Sequence, residues 1–269
     1  MIVENNWLTT NIKEKAINND LDLIATFNPY SYTKTSFDMA CKNVCDKIVA
    51  LDKPIYVGFS GGIDSEFVVR TFIKHNIPFT AVSVNTGTNR YEWLYIQKLF
   101  REYPNLTKIL LDVSEPKAFF QKLINICKAF NTPALGSIGS IEAAQYVKSQ
   151  NGIFVIAEHF ISTKYDNSGI IMVETSEWDH YYDVLVDDNL VIPFFMYDLP
   201  IVESYVSQFN NEKIGFFKSD LYSLPFRPKF YHNFENKNML NVYNAIVSKL
   251  RPTGNKSFVM TKEEFLGII

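Results

Sequence analysis

The sequence predicts an α/β fold: a parallel sheet with helices on both faces. Short apolar runs alternate with longer amphipathic stretches between residues 36 and 160. The apolar runs are nearly continuous, which is typical of strands buried on both faces. Parallel strands need long crossover connections, and the helical stretches supply them. A glycine-rich turn joins the first apolar run to the helical stretch after it.

Each element follows from local pattern. Ser36 is a suitable N-cap, and apolar residues follow it at helical spacing as far as Val49. Residues 55–59 predict a buried strand and residues 64–75 a helix. Further strands are predicted at 79–84, 108–113 and 153–157, and further helices at 90–103, 116–127 and 141–148. After residue 160 the alternation stops, with strands predicted at 169–174 and 190–195 and a helix at 199–209.

The chain is long enough to bury a sizeable core, with 269 residues of which 47% are hydrophobic. We predict an irregular N-terminal extension at 1–35 and an α/β domain at 36–200. Residues 201–269 are predicted to form a divergent, mostly helical C-terminal cap on the same core.

Charge and composition restrict the partners. The net charge is −3, so no broad positive field attracts nucleic acid or anionic lipid, although a local basic patch stays possible. No apolar run approaches the ~18 residues of a membrane span, and the first residues carry no secretory pattern. Three cysteines make no disulfide framework, which favours a reducing, cytoplasmic location.

The turn after the first strand carries the main chemical signal. Phe59 ends the strand, and Ser60-Gly61-Gly62-Ile63-Asp64-Ser65 leads into the helix. A helix start at the carboxyl end of a parallel strand has free amides and a positive dipole end, so it binds anions. The two glycines lack Cβ atoms and let the backbone approach a phosphate closely. The two serines add hydroxyl donors.

Asp64 cannot bind a phosphate itself. It is predicted either to hold Mg²⁺ against bound phosphates or to cap the helix. The alternative for the whole segment is a glycine-rich turn without a ligand. The loop is not of the Walker A type, because no Gly-Lys-Ser/Thr follows.

This loop resembles the pyrophosphate loop of the N-type ATP pyrophosphatases. That superfamily includes asparagine, NAD and GMP synthetases and tRNA-modifying enzymes. The resemblance implies an adenine nucleotide alpha-hydrolase-like, Rossmann-like fold. It also implies that residues 59–65 bind ATP with Mg²⁺, that ATP is cleaved between the α- and β-phosphates, and that an adenylated substrate is passed to a nucleophile, often ammonia.

Other stretches are most similar to the synthetase domain of asparagine synthetases. They are residues 37–65, residues 191–203, and Lys218 upstream of the Arg-Pro-Lys at 227–229; together the resemblance covers about residues 36–230. It implies that Lys218 neutralises charge on the departing pyrophosphate and that Val84 lies beside adenine. The alternatives are a surface lysine and an ordinary core valine.

The sequence also departs from that family. Where a second glycine-acid segment is expected it reads Ala157-Glu158-His159, so Glu158 is the candidate second metal ligand or base. Residue 2 is isoleucine, so the N-terminal cysteine of a glutaminase domain is absent, and ammonia is expected free or from a separate glutaminase subunit.

Three functional hypotheses remain open at this point. The first is an ATP-dependent synthetase that adenylates a small-molecule carboxylate or carbonyl and transfers it to ammonia or an amine. The second is a related enzyme that modifies a nucleobase or tRNA. The third is a nucleotide-binding protein without turnover, which the altered 157–159 segment favours.

Two further patterns receive plainer interpretations. Cys41 and Cys45 are one helical turn apart, but no nearby histidine or cysteine completes a metal site, so we interpret them as buried core residues. Asn85-Thr86-Gly87 is interpreted as a turn after a strand.

Overall fold

The computed structural model describes residues 7–10, 25–130, 137–157, 161–163, 170–173, 191–208, 214–227, 240–242, 244–245, 258–261 and 266–267. The strands in these ranges are β1 (Leu8–Thr10), β2 (Ala25–Phe27), β3 (Ile55–Gly58), β4 (Thr80–Asn85), β5 (Lys108–Asp112), β6 (Ile153–Ile156), β7 (Ile161–Thr163), β8 (Ile170–Val173), β9 (Val191–Pro193) and β10 (Phe258–Thr261). The α-helices are α1 (Phe37–Val49), α2 (Ile63–Lys74), α3 (Arg90–Glu102), α4 (Pro116–Phe130), α5 (Ser137–Ser149), α6 (Leu199–Ser207) and α7 (Ile214–Tyr222). None of the helices in the described ranges is long and apolar enough to cross a membrane.

The central sheet has five parallel strands in the order β5-β4-β3-β6-β9. The chain runs outward from β3 through β4 to β5, then returns to the other side of β3 as β6. The connections therefore diverge between β3 and β6, which creates a crevice at the carboxyl ends of these two strands. The predicted α/β fold with a parallel sheet is confirmed.

Helices cover both faces of this sheet. Alternate strand residues point to opposite sides, so Val57 and Val155 lie in one core cluster and Phe154 and Ile156 in another. The first cluster is completed by α1, α2, α3, α6 and α7, and the second by α4 and α5. The prediction that helices cover both faces is therefore confirmed.

Helix α1 begins as its sequence predicts. Ser36 is the N-cap, and its hydroxyl accepts a hydrogen bond from the amide of Met39 at 3.3 Å. The buried face of α1 packs on α6, whose Ile201 and Tyr205 belong to the same core cluster. The division of the chain at residues 35 and 200 stays a prediction.

The prediction of irregular structure before residue 35 is wrong for two short segments. Strands β1 and β2 pair antiparallel, and the fully buried Trp7 lies directly before β1. The indole Nε1 of Trp7 donates a hydrogen bond to the carbonyl of Met196 at 3.1 Å, and its ring stacks on Phe27. Three-residue strands carry too little alternation to be recognised, and a distant contact fixes these two.

In the later part of the chain, one predicted strand joins a separate sheet and one further strand was not expected. Strand β8 lies within the predicted 169–174 strand, but it belongs to a separate antiparallel sheet with the order β10-β8-β7. Strand β10 was not expected, because residues 201–269 were predicted to be mostly helical. The helices α6 and α7 agree with that prediction, and both contribute to the core.

Candidate functional site

A cavity of about 320 Å³ opens at the carboxyl ends of β3, β4 and β6. One side consists of the end of β3 and the glycine-rich loop. A second side comes from β4 and the turn into α3, and a third from α5 and β6. The lining residues are Gly58, Phe59, Ser60, Gly62, Asp64, Ser65, Val82, Val84, Thr86, Asn89, Glu92, Gly139, Ser140, Ala143, Phe154, Ile156 and Ala157.

The structure thus brings most of the predicted binding residues together around one cavity. Phe59 lines it while its ring is buried in the core, and Val84 forms part of the wall contributed by β4. Two loop residues, Gly61 and Ile63, do not line the cavity, and Ile63 packs against the core.

The loop is held by its own hydroxyl groups. The Oγ atoms of Ser60 and Ser65 are 3.1 Å apart, and the amide of Gly62 donates to Ser60 Oγ at 3.3 Å. Ser65 Oγ donates to the carbonyl of Gly62 at 3.0 Å. Gly62 is the N-cap of α2 and no side chain caps this position. Asp64 is therefore not the N-cap residue itself but lies in the first turn of α2.

Gly61 must be a glycine. Its φ of +88° lies in the left-handed region that side chains disfavour. A Cβ atom at this position would also lie 2.3 Å from the carbonyl oxygen of Glu92, far closer than two such atoms can approach. The loop is thus packed directly against the first turn of α3.

Asp64 receives two donors from helix α7. Its Oδ2 is 2.7 Å from Nζ of Lys218, and its Oδ1 accepts the hydroxyl of Tyr222 at 2.9 Å. Burial, together with the negative charge of Asp64, raises the pKa of Tyr222 well above its ordinary value, so Tyr222 stays a proton donor. Lys218 therefore lies beside the loop in contact with Asp64, and its role toward the pyrophosphate stays a prediction.

Arg227 contacts the glycine-rich loop, a role that the sequence did not indicate. One of its terminal nitrogens donates to the carbonyl of Gly61 at 2.6 Å, and the other forms an ion pair with Glu66. The guanidinium also lies 4.0 Å from the centre of the Tyr95 ring. The only sequence signal was the Arg-Pro-Lys stretch at 227–229, which indicated a family likeness without a contact.

Glu66 is buried and pairs with a second arginine. Its Oε1 accepts from Nε of Arg70 at 2.8 Å, and Arg70 in turn pairs with Glu102 on α3 at 2.6 Å. A helical glutamate in a sequence is usually interpreted as a solvated surface charge. This one is buried because two guanidinium groups neutralise it.

Glu92 lines the cavity from the first turn of α3. Burial raises the pKa of its carboxyl group to about 7. Its neutral form is therefore well populated near neutral pH, and in that form it can donate a hydrogen bond into the cavity.

We expect Glu92 to make the protein less stable as the pH rises. Its carboxyl pKa is about 7 when folded against an ordinary 4.5, so between these values the folded state binds more protons than the unfolded state. Stability is full below about 4.5 and is lost as the pH rises through about 7. Urea unfolding across this range should give a falling midpoint for wild type and a flatter one for Glu92→Gln.

Glu102→Gln is the matched control for this titration. Hydrogen bonding to Arg70 lowers the carboxyl pKa of Glu102, so its stabilisation is present at higher pH and lost as the pH falls. The two variants should therefore change the pH profile in opposite senses. An unaltered profile for Glu92→Gln would show that its carboxyl group is not desolvated.

Some predicted residues cannot be placed. Glu158 and His159 lie outside the described residues, so the second metal ligand or base stays a prediction. Within the described ranges, no group of three or more His, Cys, Asp or Glu side chains could hold a metal ion.

The two plainer interpretations agree with the structure. Cys41 and Cys45 are buried on α1, and burial raises the pKa of both thiols, that of Cys45 to about 12. Neither is therefore a reactive thiolate. Asn85 forms a turn in which its side-chain oxygen accepts the amide of Gly87 at 3.1 Å.

Comparison with known proteins gives only weak likenesses. No protein-family model matches the chain, and no curated protein matches it in sequence. Among solved structures, it is similar to an NH3-dependent NAD synthetase from Campylobacter jejuni subsp. jejuni NCTC 11168 in complex with the nitrate ion, at 18% identity and a TM-score of 0.34. That match covers 46% of this chain and 55% of the synthetase. It is also similar to an NMN synthetase from Francisella tularensis at 14% identity and a TM-score of 0.36, covering 83% of this chain and 100% of the other.

Proposed function

We propose that this chain binds ATP at the loop 60–65 and cleaves it between the α- and β-phosphates to activate a substrate. The acceptor is a carboxylate or carbonyl oxygen, which attacks the α-phosphorus while the bond to pyrophosphate breaks. The nitrogen of ammonia or an amine then displaces AMP from the adenylated substrate. The protein would thus be an ATP pyrophosphatase-type ligase of the pyrophosphate-loop superfamily.

One observation carries this proposal: the glycine-rich loop opens α2 at the point where the strand connections diverge, beside a cavity. Open parallel sheets bind ligands at this point. The cavity of about 320 Å³ falls in the usual range for small-molecule sites, roughly 300–1,000 Å³. The amides at the start of α2 favour an anion there.

The distribution of polarity in the cavity also suits a nucleotide. Val82, Val84, Phe154 and Ile156 give it an apolar part that matches an adenine ring. The loop gives it a polar part with hydroxyl groups and amides, which matches a phosphate chain. A nucleotide has these two parts at its opposite ends.

Lys218 supplies a positive charge beside the loop's acid, because its ammonium group contacts Asp64. A fixed positive charge beside the phosphates would stabilise the negative charge that develops when pyrophosphate departs. Tyr222 holds the other oxygen of Asp64 and so fixes the direction of this carboxylate.

The residues present also fit Mg²⁺. Asp64 lines the cavity at the phosphate loop, and Mg²⁺ in nucleotide sites commonly takes one or two carboxylates together with phosphate oxygens. When bound, the ion would supply charge neutralisation for the phosphates. Glu158 is proposed as the second ligand.

The finer assignment is asparagine synthetase-like chemistry, which the resemblance at 37–65, 191–203 and 227–229 favours. Ammonia would then come free from solution or from a separate glutaminase. A nucleotide-binding role without turnover is the second candidate. It is favoured by the contacts that Asp64 already makes, because Lys218 neutralises its charge and Tyr222 donates a hydrogen bond to its other oxygen.

The test is product analysis with ATP labelled at the α-phosphate, which follows AMP, and at the γ-phosphate, which follows pyrophosphate. The chain is incubated with Mg²⁺, ammonium and a panel of carboxylic acids, and nucleotides and pyrophosphate are separated. We expect AMP and pyrophosphate in equal amounts, only when an acceptor acid is present. Release of ADP and phosphate would contradict the proposal, and binding of ATP without products from any acceptor would favour the second candidate.

A further inference from the structure

We propose that Arg227 is a positioning residue for the phosphate loop: it holds the Gly61–Gly62 peptide in the orientation that presents its N–H, not its C=O, to the cavity. The inference deepens the proposed function and rests on it for the identity of the ligand. It concerns the anion-binding half of the site.

The argument starts from the planarity of the peptide. The Gly61–Gly62 peptide is trans, so its C=O and N–H lie in one plane and point in opposite directions. The carbonyl oxygen of Gly61 accepts from Arg227 at 2.6 Å on one side. On the other side, the amide of Gly62 points to Ser60 Oγ at the cavity wall.

The orientation of this peptide needs a stabilising contact from outside the loop, because both residues that it joins are glycines. Rotating it end over end changes ψ of Gly61 and φ of Gly62, and glycine tolerates such changes at little cost. After such a flip the carbonyl oxygen would face the cavity and repel a phosphate. A charge-assisted hydrogen bond from Arg227 to that oxygen opposes the flip.

Arg227 is itself fixed firmly enough for this task. Its side chain is 9% exposed, its ion-pair partner Glu66 is 6% exposed, and Tyr95 lies against the guanidinium plane. Glu66 belongs to α2, the helix that the loop opens. The guanidinium group therefore connects the loop to its own helix through two bonds.

Arg70 offers a matched control within the same network. It pairs with the same Glu66 and also with Glu102. Like Arg227, it is largely buried and lies over an aromatic ring, in this case that of Tyr103. No described contact joins Arg70 to the loop carbonyls. A purely structural role for the network predicts similar effects from removing either arginine.

The experiment compares Arg227→Met with Arg70→Met in the full chain. Each variant leaves Glu66 paired with the remaining arginine, which favours folding. We measure the urea midpoint, the dissociation constant for MgATP, and amide hydrogen exchange across residues 59–66. We expect both variants to lose some stability, but only Arg227→Met to weaken MgATP binding, by about tenfold or more.

Amide exchange supplies a readout that does not depend on the ligand. It should accelerate in the loop of Arg227→Met and stay at the wild-type rate in Arg70→Met. Arg227→Lys keeps the charge but has one ammonium group for two acceptors, so it should be intermediate in both measurements. If Arg227→Met does not fold, Arg227→Lys takes its place in the comparison with Arg70→Met.

The outcomes separate the two proposals. If wild type binds no MgATP but loop exchange still depends on Arg227 alone, the proposed function fails and the positioning of the peptide stands. If wild type binds MgATP and the two methionine variants match each other in affinity and loop exchange, the positioning role is overturned.

Discussion

Asp64→Asn is expected to abolish pyrophosphate release while leaving the fold intact. The amide has the same shape as the carboxylate and can still accept the hydroxyl of Tyr222. It cannot pair with the charge of Lys218 or serve as a good ligand for Mg²⁺. Removing one preorganised charge of this kind typically lowers turnover by about 100-fold or more. The measurement is pyrophosphate release under saturating ATP.

Asp38→Asn is the control for this variant. Asp38 is also an aspartate that pairs with a lysine, Lys74, but the pair is exposed on the surface and does not line the cavity. Exposed pairs contribute little. We expect wild-type turnover from this variant. If Asp64→Asn also turned over at the wild-type rate, the carboxylate of Asp64 would have no role in the reaction.

Gly61→Ala is expected to lower the free energy of unfolding more than any other substitution proposed here. A side chain at φ +88° costs about 1–2 kcal/mol by itself. The new methyl group would also overlap the carbonyl of Glu92 at 2.3 Å, which forces the loop away from α3. A reduced urea midpoint together with lost MgATP binding is the expected result.

Gly62→Ala is the control for Gly61→Ala, because it adds the same methyl group at a position without backbone strain or overlap. Its φ is −68°, and a Cβ atom would meet Ser60 Oγ at 3.4 Å, an ordinary contact. Stability should change by no more than about 1 kcal/mol, the usual scale for an N-cap substitution. Binding of MgATP should nevertheless fall, because Gly62 lines the cavity. If Gly61→Ala were as stable as Gly62→Ala, the loop geometry would be wrong.

The elements of the central sheet could be predicted because their signals are local. The apolar run at 55–59, the turn residues at 60–65 and the N-cap Ser36 each indicate a structure within a few residues. The position of the loop at the sheet edge then follows from general rules for parallel strands. Strands β1 and β2 could not be predicted, because Trp7 fixes them through a contact with residue 196.

The candidate site divides in the same way. The loop residues can be recognised from their residue types alone. Tyr222 contacts Asp64 across 158 residues of sequence, and Arg227 contacts Gly61 across 166, so no local pattern indicates these contacts. Lys218 was found only because the sequence resembles a known family. Glu66 was missed because nothing local distinguishes a buried, doubly paired glutamate from a solvated one.

The site is thus built from two stretches of chain that leave the ribosome at different times. The cavity wall between residues 58 and 157 is synthesised first, and the helix that carries Lys218 and Tyr222 comes some sixty residues later. A nascent or truncated product that stops before residue 214 would have the loop without its cation, its tyrosine or its arginine. Competence for the proposed reaction would therefore be acquired late in biosynthesis, after the sheet around the cavity has already been made.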